Sequence, residues 1–193
     1  MPFLLQCLDE MDNLTAHAQF LLYIATTLDG YIASADGGID WLTSLDTGNE
    51  DTGYEAFYRT VDALVMGAVT YEQVLTFGDW PYANKLAYVL TRRSLFTERS
   101  DVKIINPLES LLLDIQQQGF QRVWVVGGGQ IAAEFMRRGL ISDWILAIAP
   151  IILGEGISLY QNVPLQKLQL ISTRRLPSSM VELHYQKSPE GLA

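Results

Sequence analysis

Residues 123–135 constrain the fold of this chain more than any other stretch. The first four, Val-Trp-Val-Val, are consecutive apolar residues and predict a strand that is buried on both faces. Gly127, Gly128 and Gly129 end this strand. The residues that follow, 130–138, have apolar positions at helical spacing and two arginines at their end, which predicts a helix.

A strand, a glycine turn and a helix N-terminus, in that order, form a site at which a phosphate group can bind. Because glycine has no side chain, a phosphate can approach the backbone, where free N–H groups and the helix dipole face it. A tight turn without a ligand is the alternative. Gly127, Gly129 and Ala132 also match the pattern of dinucleotide-binding folds. In a Rossmann domain this motif follows the first strand, whereas here it follows the fifth or sixth, so a standard Rossmann domain is not expected.

Length and composition favour one globular domain, since the chain has 193 residues of which 49% are hydrophobic. The net charge is −9 without a basic cluster, which argues against nucleic acid and anionic membrane surfaces as partners. No stretch reaches the roughly 20 apolar residues of a membrane span. The single cysteine, Cys7, cannot form an internal disulfide and indicates a reducing compartment, so a cytoplasmic location is expected. Without a cluster of Cys and His, no metal site is expected.

The order of the predicted elements indicates an α/β fold. Residues 1–18 predict an N-terminal extension, and residues 19–188 the domain. The predicted strands are 19–26, 63–66, 87–91, 102–105, 123–126 and 144–149, and the predicted helices are 50–60, 70–75, 108–118 and 130–138. Residues 165–174 and 180–187 alternate apolar and polar side chains and predict a closing hairpin. We therefore expect a mixed, mainly parallel central sheet with an antiparallel C-terminal hairpin.

Five short segments stand in an order that points to a known family. They are Thr-Leu-Asp-Gly-Tyr-Ile-Ala at 27–33, Val-Asp-Ala-Leu-Val-Met-Gly at 61–67 with Thr-Tyr-Glu at 70–72, Tyr-Val-Leu-Thr-Arg at 88–92, Val-Val-Gly-Gly-Gly-Gln at 125–130 and Ala-Pro-Ile-Ile-Leu-Gly-Glu-Gly at 149–156. Together they resemble the dihydrofolate reductase-like family, most closely its branch of riboflavin-biosynthesis reductase (RibD C-terminal) domains. The resemblance spans roughly residues 20–187 and implies a three-layer fold that binds NADPH.

The resemblance implies that the glycine triplet holds the cofactor pyrophosphate, together with Gln130 and Ile131. On the other side of the pyrophosphate the family uses the turn after Gly67, where Thr70 can donate a hydroxyl. Capping of a short helix is the alternative for Thr70. Many relatives carry Arg directly after this glycine, whereas Ala68 follows here, so one phosphate contact of the family is missing.

Thr91, Arg92 and Arg93 follow the third core strand, where the family recognises the 2′-phosphate of the adenosine. Guanidinium groups suit a phosphate dianion, although two solvated surface arginines are the alternative. The resemblance also places Ala25 and Trp41 at the cofactor, with a core or lid tryptophan as the alternative for Trp41.

Two aspartates are the candidates for catalysis. Asp29 leads into the loop that covers the nicotinamide in the family, where a carboxylate can orient a polar substrate or supply a proton. An Asp-Gly turn is its alternative. Asp51 lies near the position of the acidic residue that binds the pterin in dihydrofolate reductase. The alternative is an acidic residue that favours a helix N-terminus.

Together these features predict an NADPH-dependent oxidoreductase that transfers hydride to a small C=O or C=N substrate and resembles the pyrimidine reductase of the riboflavin pathway. A pterin or folate reductase, and a nucleotide-binding module without turnover, are the alternatives. The sequence has no deaminase motif of the bifunctional relatives. A homodimer is also expected, with residues 144–149 and 150–153 as its apolar interface. The alternative is that these residues fill the monomer core under the final hairpin.

Overall fold

The structure is a computed structural model that describes residues 18–45 and 50–188. The predicted extension therefore lies, apart from Ala18, outside the described residues.

A sheet of eight strands forms the centre of the fold, in the order β5-β4-β3-β6-β1-β7-β10-β9. Its strands are β1 (Gln19–Thr27), β3 (Ala63–Gly67), β4 (Leu86–Leu90), β5 (Val102–Ile105), β6 (Arg122–Gly127), β7 (Ile141–Ala149), β9 (Leu168–Arg175) and β10 (Val181–Lys187). The six strands from β5 to β7 are parallel, while β10 runs antiparallel to both β7 and β9. This confirms the predicted mixed, mainly parallel sheet with an antiparallel C-terminal pair.

Helices cover both faces of the sheet, which gives three layers. They are α1 (Asp40–Thr43), α2 (Tyr54–Thr60), α3 (Ala68–Leu75), α4 (Leu108–Gln118) and α5 (Gly129–Arg137). The core on one face joins α4 and α5 to strand residues such as Val123 and Val125, and the core on the other face joins α2 and α3 to Trp124. Successive side chains of a strand point to opposite faces, so a strand covered on both sides must be apolar at every position.

A short two-stranded ribbon lies outside the main sheet. Strand β2 (Tyr31–Ala33) pairs antiparallel with β8 (Ile157–Ser158), a two-residue strand that was not among the predicted strands. Helix α2 is also shorter than the helix predicted at 50–60, because the residues before Tyr54 form a turn rather than a helical start. The ribbon brings the loop after β1 close to the connection after β7.

Strand β7 is an interior strand, and this corrects the predicted dimer interface. It lies between β1 and β10, and Trp144 and Ala149 are only 2% and 0% exposed within the single chain. The residues predicted as an apolar interface at 144–149 therefore fill the monomer core. Within 150–153, Ile152 remains exposed.

Candidate active site

The candidate site lies where the carboxyl ends of the parallel strands meet. Strands β3 and β6 are neighbours, and each passes directly into a helix, β3 into α3 and β6 into α5. Ligands of open α/β sheets bind at this edge of the sheet. The two turns predicted to hold the cofactor, after Gly67 and at Gly127 to Gly129, are thus brought side by side.

Gly128 shows how closely these two turns approach each other. Its φ is +83°, a left-handed conformation that favours glycine. A Cβ atom placed on it would lie 2.9 Å from Oγ1 of Thr70, at the start of α3. The absence of this side chain lets the glycine turn and the hydroxyl of Thr70 lie close together.

The helix N-termini at these two turns carry N–H groups that can donate hydrogen bonds. The N-cap residues of α3 and α5 are Gly67 and Gly128, and neither makes a side-chain capping hydrogen bond. First-turn N–H groups without a cap attract anions. Gln130 is exposed in the first turn of α5, while Ile131 packs against Gly67. The glycine backbone, the first-turn N–H groups and the Thr70 hydroxyl are hydrogen-bond donors of the kind that a pyrophosphate accepts from.

The two arginines that follow β4 lie in different environments. Arg93 forms a two-pronged ion pair with Glu72 of α3, with N–O distances of 2.6 and 3.0 Å. Arg92 is exposed and makes no hydrogen bond or ion pair with any residue in the described ranges. Thr91 accepts a hydrogen bond from the backbone N–H of Arg93, which shapes this turn. Arg92 is therefore the arginine that is available for a phosphate.

Asp29 ties two loops of the site together. Its carboxylate accepts hydrogen bonds from the Thr27 hydroxyl at 2.6 Å and from the backbone N–H groups of Gly154 and Leu153 at 2.7 and 3.1 Å. These donors, the Thr27 hydroxyl foremost, lower the pKa of Asp29 to about 2. A group with this pKa is ionised at neutral pH, so its surroundings favour an orienting or structural role over proton donation.

Asp51 is exposed and lies at the turn before α2. Its carboxylate accepts a hydrogen bond of 2.7 Å from the backbone N–H of Gly53, the N-cap of this helix. The turn is held from the opposite side by Arg174 of β9, which donates to the carbonyl of Thr52 at 3.0 Å. The structure therefore explains Asp51 as part of a helix start, and its catalytic role stays a prediction.

Trp41 is buried beside the site, on the short helix α1. It packs in a small cluster with Ala147, Ala149, Leu176 and Met180. Its ring nitrogen Nε1 is buried and has no hydrogen-bond partner among the described residues. A buried N–H without a partner is unfavourable, so this group is an unused hydrogen-bond donor in the cluster.

An apolar cleft of about 320 Å³ opens on the α2 face of the sheet. It contains Ala25, one of the predicted cofactor contacts. The other lining residues are Tyr23, Ile24, Leu42, Thr52, Tyr54, Trp124, Ala147, Leu176 and Met180. The sequence analysis did not select these residues, because their positions in the chain are far apart. The one available signal was the alternation within β1, which puts Tyr23 on the same face as Ala25.

Tyr23 is the most distinctive polar group of this cleft. Its hydroxyl makes no hydrogen bond to any part of the chain that the structure describes. Burial raises the pKa of Tyr23 to about 12, and the nearby Glu182 adds to the rise. The side chain is therefore a neutral phenol at physiological pH and can donate a hydrogen bond.

Comparisons with known proteins agree with this architecture. Residues 19–181 match the model of the RibD C-terminal domain family. The uncharacterised protein YwjB of Bacillus subtilis strain 168 is 36% identical over 168 residues, which cover 86% of this chain and 95% of YwjB. A protein from Shewanella sp. PV-4 with a provisional riboflavin-biosynthesis name has a crystal structure that superimposes with a TM-score of 0.80 at 31% identity, covering 88% and 99% of the two chains.

The bifunctional deaminase/reductase of Thermotoga maritima shares the fold, with a TM-score of 0.69 at 18% identity. The match covers 90% of this chain but 57% of that protein. The chain belongs to the RibD C-terminal domain family, which has the dihydrofolate reductase-like fold. In the ranges 18–45 and 50–188, no helix is long and apolar enough to cross a membrane.

Proposed function

We propose that this protein is an NADPH-dependent reductase that transfers hydride to a small C=O or C=N substrate. The observation that carries the proposal is the close approach of Gly128 to Thr70, by which two helix N-termini without side-chain caps lie next to each other. Membership of a reductase family supports the same reading. When bound, the nicotinamide would supply a hydride, which carries both electrons of the reduction.

The residues of this chain have distinct parts in the proposed reaction. The turns at Gly67 and Gly127 to Gly129, with Thr70, bind the pyrophosphate, and Arg92 binds the 2′-phosphate. Ala25 and Trp41 lie toward the nicotinamide end. The apolar walls of the cleft exclude water, which holds the substrate carbon close to the cofactor in a dry pocket. The proton that balances the hydride goes to the oxygen or nitrogen of the substrate from water or from the Tyr23 hydroxyl.

The Thermotoga protein is named as a 5-amino-6-(5-phosphoribosylamino)uracil reductase, which makes a pyrimidine reductase of the riboflavin type the first candidate reaction. A pterin or folate reductase remains the alternative within enzymes. A nucleotide-binding module without turnover is the alternative outside them, because Ala68 replaces the arginine that many relatives use for a phosphate. We also propose that the protein acts in the cytoplasm, consistent with its single cysteine.

Cofactor binding and turnover are tested separately. Thermal-shift titrations with NADPH and NADH report binding, because a ligand that binds only the folded state raises the melting temperature. NADPH oxidation with aldehyde, imine, pterin and pyrimidine substrates then reports turnover. Binding without any turnover would favour the nucleotide-binding module, and no binding of either cofactor would contradict both readings.

A further inference from the structure

A second cleft lies at the opposite edge of the sheet from the candidate active site. Its volume is about 780 Å³, which is within the usual range of small-molecule sites. The neighbouring strands β6, β1 and β7 begin at this edge with Arg122, Gln19 and Ile141, and the antiparallel β10 ends there with Lys187. Because a strand rises by about 3.3 Å per residue, Arg122 lies about 17 Å from Gly127 at the other end of β6. We call this site the amino-edge cleft.

Arg122 is a cation of the amino-edge cleft that has no carboxylate partner among the described residues. Its Nη1 atom donates to Oε1 of Gln19 at 2.8 Å, which is its only side-chain hydrogen bond in the described part of the chain. Its Nε atom is buried without a partner. The carboxylate of Asp62 accepts from the backbone N–H groups of Gln121 and Arg122 at 2.8 and 2.9 Å, but it forms no ion pair with the guanidinium. A positive charge that is held in place and not neutralised attracts an anion.

Lys187 supplies a second cation at the same edge. Its Nζ atom lies 3.5 Å from the position that a Cβ on Gly139 would take, so it stands beside the turn that follows α5. It makes no hydrogen bond or ion pair with any residue that the structure describes. Both cations line the amino-edge cleft. Because lysine has a flexible stem, this ammonium can move toward a ligand that the fixed guanidinium holds.

One carboxylate, that of Asp143, also lines the cleft, and it limits the charge of a ligand. The residue is 4% exposed. Its Oδ2 atom accepts from Ser142 at 2.7 Å, and its Oδ1 atom accepts from His184 at 2.8 Å and from Gln186 at 3.0 Å. The lining therefore carries two positive charges and one negative charge. This balance suits a single negative charge, whereas a second one would be repelled by the buried carboxylate.

The rest of the lining combines amide groups with apolar surface. Gln19, Gln121 and Gln186 each use one end of the side-chain amide within the chain and leave the other end without a partner among the described residues. An amide can donate through its nitrogen and accept through its oxygen. Leu140 and Ile141 add apolar side chains. A ligand with an apolar part and a hydrogen-bonding group beside its negative charge would match this lining.

We propose that the amino-edge cleft is a second ligand site, which binds a small organic monocarboxylate. Arg122 holds the carboxylate, and Lys187 contributes the second positive charge. The glutamine amides and the apolar side chains of Leu140 and Ile141 contact the remainder of the ligand. The site is independent of the proposed reductase function, since none of its lining residues belongs to the candidate active site.

Three related compounds of different charge test the inference. We would titrate the full-length protein with N-benzoylglycine, with its neutral amide and with N-benzoylaspartate, which has a second carboxylate, and follow the backbone amides by NMR. N-benzoylglycine should shift the signals of residues 139–142 and bind at least about tenfold more tightly than the other two. Equal or tighter binding of the amide or of N-benzoylaspartate would overturn the inference. Shifts confined to other parts of the chain, or no binding of N-benzoylglycine at millimolar concentration, would overturn it as well.

Variants of the two cations show whether they bind the carboxylate. Arg122→Gln should weaken N-benzoylglycine binding by about tenfold or more, and Lys187→Gln should weaken it less, because its ammonium is not held in place. Arg122→Lys keeps the charge and should retain part of the affinity. Arg59→Gln is the control, because Arg59 is an exposed arginine of α2 that also lacks a partner among the described residues. An unchanged affinity in a folded Arg122→Gln protein, or an equal loss in Arg59→Gln, would overturn the inference.

Discussion

Gly128 should be the position at which a side chain harms cofactor binding most. We predict that Gly128→Asp weakens NADPH binding at least tenfold, about 1.4 kcal/mol, because the carboxylate would meet Thr70 and oppose the pyrophosphate. Gly128→Ala should weaken binding less, since it adds only the Cβ. Fluorescence titration with NADPH measures both.

The left-handed conformation of Gly128 calls for a control on backbone strain. Gly119 has φ of +72° at the end of α4, with no atom near a Cβ placed on it. Gly119→Asp should lower the melting temperature while leaving NADPH affinity unchanged. If folded Gly128→Asp protein binds NADPH as tightly as the wild type, the glycine turn is not part of the cofactor site.

Arg92 and Arg93 offer a matched pair for testing cofactor preference. A charge-assisted phosphate contact is worth roughly 1.5–3 kcal/mol, about tenfold to over a hundredfold in affinity. Arg92→Ala should narrow the preference for NADPH over NADH by that factor. Arg93→Ala should have a smaller effect, because Glu72 already binds its guanidinium. Equal affinity of the wild-type protein for NADPH and NADH would contradict this prediction.

At the level of the loops, Asp29 joins the turn after β1 to the connection after β7. The Asp29→Asn variant should lower the melting temperature and speed hydrogen exchange of the Leu153 and Gly154 amides, because an amide accepts their hydrogen bonds less strongly. The amides of the central strands should exchange as slowly as they do in the wild type. Unchanged exchange rates at both amides would show that their hydrogen bonds to Asp29 do not persist in solution.

The same carboxylate predicts a pH dependence. The folded state lowers the pKa of Asp29 from 3.8 to about 2, so its contribution to stability is fully present above the unfolded value. This contribution is lost as the pH falls from about 4 toward 2. Urea unfolding between these pH values should therefore show a steeper loss of stability in the wild type than in Asp29→Asn. Parallel curves would contradict the assignment.

The oligomeric state of the protein remains a prediction, but the burial of β7 changes the surface at which we expect two copies to meet. Because β7 is internal, we now expect association at the edge strand β9, where the neighbouring Leu170 and Ile171 are 49% and 45% exposed. Exposed edge strands readily pair with other chains. We predict a homodimer in light scattering, with a mass of about twice 21.6 kDa.

A surface charge at this edge should separate the two oligomeric states. Ile171→Lys is expected to shift the protein toward the monomer. Leu113→Lys is the control, because Leu113 is 44% exposed on α4, away from this edge. A wild-type mass near 21.6 kDa that holds as concentration rises would contradict the homodimer.

Much of the architecture could be predicted from the sequence, because it depends on local patterns of residues. A strand covered by helices on both faces must be apolar at each covered position, as in β3 and in residues 123–127 of β6, so a run of consecutive apolar residues predicts it. Gly128 marks a left-handed turn that other residues rarely adopt. Such features depend on neighbours in the chain, and they sufficed for the fold class and the glycine turn.

Other features were decided only when distant segments came together. The cleft joins Ala25, Ala147 and Leu176, and no local pattern relates these three residues. Whether an arginine is available for a phosphate depends on Glu72, 21 positions before Arg93. The burial of β7 likewise follows from its place between two other strands, since an apolar run looks the same at an interface and in a core. The sequence thus determined the main strands and the glycine turn, because these depend on local conformation and periodic burial. The tertiary contacts decided the cleft, the free arginine and the interior strand.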